Sequence, residues 1–372
     1  MTGSGGFPTY EAERRLQAAR AAGVEPVPLH GSPSPALPHH VVEAVAKVIG
    51  RPMAAPPSRG LASLREAYAP ELERSTGRRV DPETEILVTN GAMHALGICM
   101  RALLERGDEV VVPAPCFFFD GPIRAAGAVP VYVHGSEADC WRWDADAVER
   151  ATGARTRVVL LCNPGNPTGY VPAADDVAAV VACAERHGLL VVADEAYEAA
   201  LWGGASLTSA FGLADDVVVI RSLGKSLSLP QLRLGIVSGP VARLGRCVDT
   251  LEWDCLRVGV AAQEAAVAAL RGPRDGLDAV HAGLVADRAV ALAAVAATPG
   301  LSATPPAAAP FLFVRADAGG DVAAGLLDAG LPVVDGAAFQ APGYARLVFG
   351  GAAQAESLLL DALARWAAVS AT

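Results

Sequence analysis

The sequence predicts an α/β protein. A large domain on a mostly parallel central sheet covered by helices is joined to a small α/β domain built from the N- and C-terminal segments. Three observations carry this expectation. From about Glu85 onward, short continuous apolar runs alternate with amphipathic helical stretches, and an apolar run without alternation marks a strand buried on both faces. Past Pro240 the texture changes to long helical patterns, and the proline-rich ATPPAAAP then leads into a second strand-and-helix pattern. Finally, 372 residues are more than one core ordinarily organises. The expected boundaries are 1–50 for the N-terminal segment joining the small domain, 51–285 for the large domain and 286–372 for the small C-terminal domain.

Taken in order, EILVT opens the large domain as a strand, and GAMHALGICMRALLERG is a helix ending at Gly107. DEVVVP, VPVYV, RVVLLC, LLVVADE, DVVVIRS and RLGIVSG follow as strands, with a helix over AADDVAAVVACAERHG. Helical patterns then run through RLGRCVDTLEWDCLRV, AAQEAAVAALRG and GLDAVHAGLVADRAVALAAVAA. In the small domain FLFVRA and ARLVFG are strands, and helices cover DVAAGLLDAG and Ala355 to Ala368. SPSPALP and RPMAAPPSRG are short enough to be loops. There are no internal repeats.

The formal charge of −10 and a pI near 5.2 leave no global basic field for nucleic acid or an anionic membrane. The seven cysteines are scattered and never spaced as CxxC, the pattern of reduced thiols rather than a disulfide scaffold or zinc site. MTGSGGFPTYEAERRL lacks the cationic start and apolar core of a signal peptide. No apolar run reaches spanning length before a charge, proline or glycine. A cytoplasmic protein is expected.

Four motifs sit at predicted strand ends, where open α/β sheets place ligands. In TNGAMHAL, Gly91 permits a tight turn, and the amides of Ala92 and Met93 open a helix whose positive end suits a phosphate; most such turns bind nothing. NPGNPTG, from Asn163 to Gly169, is either a strand-terminating turn with room for a cis proline bond or a loop presenting an asparagine amide. LLVVADEAY delivers Asp194 to a strand end with Tyr197 three residues on; the aspartate either caps the next helix or meets a cationic partner. In RSLGKSLSLPQLRLG, Lys225 stands among serines and glycine, with Arg233 eight positions later. It is either an ordinary loop cation or a desolvated amine kept for covalent chemistry. Together the motifs supply a lysine, a strand-end aspartate, a tyrosine hydroxyl, an asparagine amide and a phosphate cradle, an inventory that matches pyridoxal 5′-phosphate.

With GLASLREAYA, ILVTNGAMHAL, VVVPAPCFFF, CNPGNPTG, VVADEAY, SLGKSLSLPQLRLG and ARLVFG in that order, the chain resembles the class I/II aminotransferases, the fold type I pyridoxal-phosphate enzymes. The resemblance implies that Lys225 bonds the cofactor as a Schiff base and moves the α-proton. Asp194 would keep the ring nitrogen protonated, and Tyr197 and Asn166 would bond the ring hydroxyl. Ser222, Arg233, Gly91, Ala92 and Met93 would form the phosphate site. Phe117 would stack on the ring, against the alternative that it is core. Arg346 would pair with the substrate α-carboxylate beside the Gly31 backbone, against the alternative of a surface arginine. The implied partners are an amino acid, a keto acid if the reaction is transamination, and a second copy in a homodimer.

Three departures stand out. Family members usually carry a tyrosine before the glycine of GLASLRE, reaching a neighbouring subunit's phosphate; RPMAAPPSRG has none, and Arg59 and Arg51 are the candidate replacements. Asp120 occupies a position where a second aromatic is common, and Gly224 one where serine or threonine is frequent. The expected activity is an aminotransferase acting on an α-amino acid. The alternative is a lyase, cyclase, decarboxylase or replacement enzyme on the same cofactor, which the missing tyrosine and Asp120 favour. A non-catalytic effector-binding module would need a helix-turn-helix segment and a basic patch, and the sequence offers neither. No metal site is expected: the seven histidines, His94 beside the phosphate turn included, lack ligand spacing. Trp202 and Tyr10 are expected to pack.

Overall fold

The computed structural model describes residues 7–31, 35–50, 52 and 55–370. Its larger sheet holds β1 (Ile86–Thr89), β2 (Glu109–Ala114), β3 (Val129–His134), β4 (Thr156–Cys162), β5 (Leu190–Asp194), β6 (Val217–Ser222) and β7 (Gly235–Ser238) in the order β1-β7-β6-β5-β4-β2-β3. Only β7 runs against its neighbours. The apolar runs behave as expected, since β1, β5, β6 and β7 are buried at every residue. The exception is β3, whose residues are exposed or half-buried. It is an edge strand, where Pro130 removes no ladder bond that a neighbour needs.

The smaller sheet is antiparallel: β8 (Leu301–Ala303), β9 (Phe311–Ala316), β10 (Val333–Asp335) and β11 (Tyr344–Val348), ordered β10-β11-β9-β8. The sequence pattern anticipated β9 and β11 but not β8 or β10. At three residues each, these are too short to display a period.

Two main cores divide the chain elsewhere than at 50 and 285. Val41 belongs to the core of the larger sheet, and helix His39–Ile49 packs on helix Val260–Arg271 of that domain. Ala12 and Val27 belong to the second core, so the N-terminal segment is shared between the domains. The small domain resumes at helix Asp275–Ala296, whose Leu284 and Ala291 enter the second core and which packs on β8 and helix Glu356–Ser370. That helix has the length and apolarity of a membrane span. It also turns Asp287 inward, where the carboxylate accepts the backbone amides of Gly351 and Ala353 at 2.8 and 2.9 Å, the environment of a helix built into a folded core.

Candidate active site

β4, β5 and β6 end side by side, with Cys162 opposite Asp194 in the ladder. The turns that follow these ends, the start of helix Ala92–Leu103 and the face of the smaller sheet enclose a cavity of about 330 Å³. Of the residues singled out in the sequence, Ala92, Met93, Phe117, Asn166, Asp194, Tyr197, Ser222, Lys225, Arg233, Gly31 and Arg346 all line it.

At one end Gly91 adopts φ +89°, a conformation that side-chain-bearing residues rarely take. This turn starts the helix at Ala92, leaving the first-turn amides without intrahelical acceptors. Arg233, itself left-handed at φ +50°, lays its guanidinium on Gly91: a Cβ there would stand 3.0 Å from Nη2. Ser222 closes β6 on the same wall. A helix N-terminus, a hydroxyl and a guanidinium thus converge on one spot, as an anion requires.

Asp194, at the end of β5, is buried and accepts the amide of Ala196 at 3.0 Å. That bond is the local turn expected of an aspartate cap, yet the carboxylate also faces the cavity. Burial pushes its pKa up to about 6, against the Ala196 amide and Lys225, which lower it. Lys225 lies in the short helix Leu223–Ser226 directly after β6, with Nζ 5.0 Å from the centre of the Tyr197 ring. The Tyr197 ring meets Phe311 edge-on at 5.2 Å.

At the other end, β9 and β11 pair Phe311 with Val348, Phe313 with Arg346 and Arg315 with Tyr344. Alternation turns Leu312, Val314, Ala345 and Leu347 into the second core and leaves Arg346 on the cavity face. Arg346 is 8% exposed and donates from Nη1 to Asn166 Oδ1 at 2.9 Å. Phe311 and Phe339 lie 4.5 and 4.9 Å from its guanidinium carbon, and Nε is buried without a partner. Desolvation lowers its pKa to about 10. An unsatisfied buried donor costs about 1–3 kcal/mol, so this arginine is built to receive an acceptor.

Two of the three departures find local explanations. Asp120 pairs with Arg124 at 2.8 Å and accepts from the Tyr132 hydroxyl at 3.3 Å; it does not line the cavity. At Gly224 a Cβ would press on the Pro230 backbone at 3.3 Å. Arg59 donates to the Thr84 carbonyl at 3.0 Å and stays off the cavity, while Arg51 lies outside the described residues. His94 accepts the Asn90 amide at 3.1 Å and so braces the turn at Gly91. Trp202 packs, donating to the Ala309 carbonyl at 3.0 Å. Tyr10 instead is exposed, because its helix turns that face outward. Glu149, Cys183 and His187 meet among the outer helices, away from the cavity, with Glu149 engaged by Arg186.

Among the cavity residues that sequence reasoning missed are Phe7, Thr9, Phe118, Phe311 and Val348. Only Phe311 and Val348 left a signal: they share the alternation of Arg346 along β9 and β11.

The model of the aminotransferase class I and II family matches residues 28–363. The chain belongs to this family. A probable aspartate/prephenate aminotransferase of Thermus aquaticus is 31% identical over 369 residues, covering 96% of this chain and 95% of its own. An aspartate aminotransferase of Geobacillus stearothermophilus is 29% identical over 358 residues, 92% and 91% of the two chains. The solved structure of Thermus thermophilus aspartate aminotransferase with maleate superposes with a TM-score of 0.90 at 29% identity, covering 98% of this chain and 97% of that one. The protein is a fold type I, pyridoxal-phosphate-dependent aminotransferase acting on amino acids. The donor set of the cavity fits that cofactor: an anion cradle, a buried carboxylate and a lysine all line it.

Proposed function

We propose that the protein transfers the amino group of an α-amino acid to a keto acid with Lys225, Asp194 and Tyr197 as its catalytic residues. The observation that carries these assignments is that all three line one cavity with Ser222, Arg233 and Arg346. Bound pyridoxal phosphate supplies an electron sink that acidifies the substrate's Cα–H. Lys225 would hold the cofactor through Nζ and, once the substrate's amino group had displaced it, the freed amine would accept the Cα proton. Asp194 holds a proton on the ring nitrogen through its carboxylate, which burial makes eager for a cationic partner. Asn166 and Tyr197 would hold the ring hydroxyl, and Phe117 would pack against the ring. Ser222, Arg233 and the Ala92 and Met93 amides bind the phosphate at the turn made by Gly91. Arg346 orients the α-carboxylate, with Asn166 fixing the guanidinium by the bond at 2.9 Å and Gly31 closing the cavity beside it.

Asp120 no longer supports the lyase reading, since its carboxylate is spent on Arg124 and Tyr132. The seven cysteines are free thiols, which suits a cytoplasmic enzyme, and we assign a homodimer, to be checked by sedimentation. The deciding experiment is a half-reaction with purified enzyme, an amino acid panel and no keto acid. Accumulation of pyridoxamine phosphate with the matching keto acid establishes transamination. Turnover of the amino acid with the cofactor left as pyridoxal phosphate replaces it with the lyase reading.

A further inference from the structure

The cavity wall that would meet a substrate's side chain is aromatic. Arg346 sits in a ring of phenyl groups, with Phe118 also within 5.8 Å of its guanidinium carbon. Phe118 stacks on Phe339 at 4.9 Å and receives the edge of Phe7 at 5.1 Å. Phe7 precedes helix Pro8–Ala21 and is 52% exposed, so it forms the outer rim of this apolar path.

The cations of the described lining are Lys225, Arg233 and Arg346. Arg233 lies against Gly91 at the anion cradle, and Lys225 follows β6 near Tyr197. Arg346 has one nitrogen given to Asn166 and serves a single carboxylate. Once these three are assigned, no described cation of the wall remains for a second carboxylate. A charged group pressed against Phe7 and Phe118 would lose its hydration without a partner. An uncharged apolar side chain would instead gain by displacing water from the rings.

We infer that the substrate is an α-amino acid with an uncharged apolar side chain of aromatic or branched aliphatic size, and not a dicarboxylate, with Phe118 and Phe7 as the specificity-determining contacts. This rests on the proposed roles of Lys225, Arg233 and Arg346, and sets the chain apart from relatives named for aspartate.

The test pairs binding with turnover. Calorimetry on the holoenzyme with the unreactive acids 3-phenylpropionate and maleate should give at least tenfold tighter binding of 3-phenylpropionate. In the half-reaction, phenylalanine or leucine should exceed aspartate and glutamate in kcat/KM by about 100-fold or more. Phe7→Ala, at an exposed position that should leave folding intact, should weaken 3-phenylpropionate about fivefold and leave maleate unchanged. Tighter maleate binding, or faster reaction of aspartate, overturns the inference and would mean that a cation reaches the site from outside this wall. If no amino acid reacts at all, the aminotransferase assignment fails while the two binding constants still decide the side-chain class.

Discussion

The cavity wall on the larger sheet takes its polar groups from the ends of β5 and β6 and the turns after β1, β4, β5 and β6, whereas the opposite wall takes Arg346 from the middle of β11 and Phe311 from the start of β9. On the first wall Asp194 and Ser222 end fully buried strands and the other groups stand in the turns beyond them, so their positions are set by the main core. On the second, each side chain is one face of a thin antiparallel sheet whose other face packs the second core. Chemistry placed on the first wall is expected to fail abruptly when altered. Recognition placed on the second should degrade by degrees.

Lys225→Ala is the sharpest test of the first wall. It removes the one lysine of the described cavity lining, and with it the proposed covalent anchor and base. A loss of about 10⁴-fold or more in kcat is expected, together with loss of the visible absorbance of the bound cofactor. An unchanged spectrum in this variant would remove the assignment. Arg346→Lys addresses the second wall and should be milder. An ammonium cannot reproduce the planar, bidentate fork, so KM for the amino acid should rise about 100-fold while cofactor affinity stays within about twofold. Equal losses in cofactor and substrate binding would show that the two walls do not act separately.

The contrast also explains what was legible in the sequence. Gly91, Asp194 and Lys225 were legible as candidates because a strand end followed by a turn writes its residues contiguously, EILVT, LLVVADE and DVVVIRS announcing those ends and Arg233 opening RLGIVSG. Phe118 and Phe7 were not, because an aromatic residue in FFF reads as core, and Phe7 in GGFPTY stands in no strand-end motif, until the fold shows which rings face the cavity. Helix His39–Ile49 was assigned to the wrong domain for a related reason. Its apolar positions show that it packs, not on what. The resemblance marked Arg346 by its place in ARLVFG, but its Asn166 partner lies 180 residues away in sequence, and only the closed chain joins them.

Acidity separates the walls a second time. With its pKa lifted to about 6, Asp194 is protonated in the folded, cofactor-free chain across a window, from roughly 4 to 6, where the unfolded carboxyl is ionised. The folded state binds the extra proton there, so cofactor-free stability falls as pH rises through that window. Cofactor binding demands the ionised form, so affinity should weaken by up to about tenfold per unit as pH drops below about 6. Titrating cofactor binding from pH 5 to 8 checks this. Asp194→Asn should bind more weakly throughout and flatten the profile.

The smallest effect belongs to the contact between the walls. Glu137, in the loop after β3, accepts from Arg315 Nε at 2.6 Å, the Tyr344 hydroxyl at 3.1 Å and Thr304 Oγ1 at 3.2 Å. Trp141 of the same loop meets Tyr344 and Phe313 edge-on at 5.3 and 5.8 Å. This clasp holds the register face of β9 and β11, and hence Arg346, against the larger domain. Because Arg315 is 38% exposed, the ion pair contributes no more than about 1 kcal/mol. Glu137→Gln keeps the size and one acceptor oxygen, while replacing the other with an NH2 donor and removing the charge. It should raise KM about threefold, leave kcat and the cofactor spectrum unchanged, and lose its distinction from the parent at high salt, where the pair is screened. A change in kcat equal to that in KM would instead mean that the clasp reaches the cofactor wall, and that the two walls move as one.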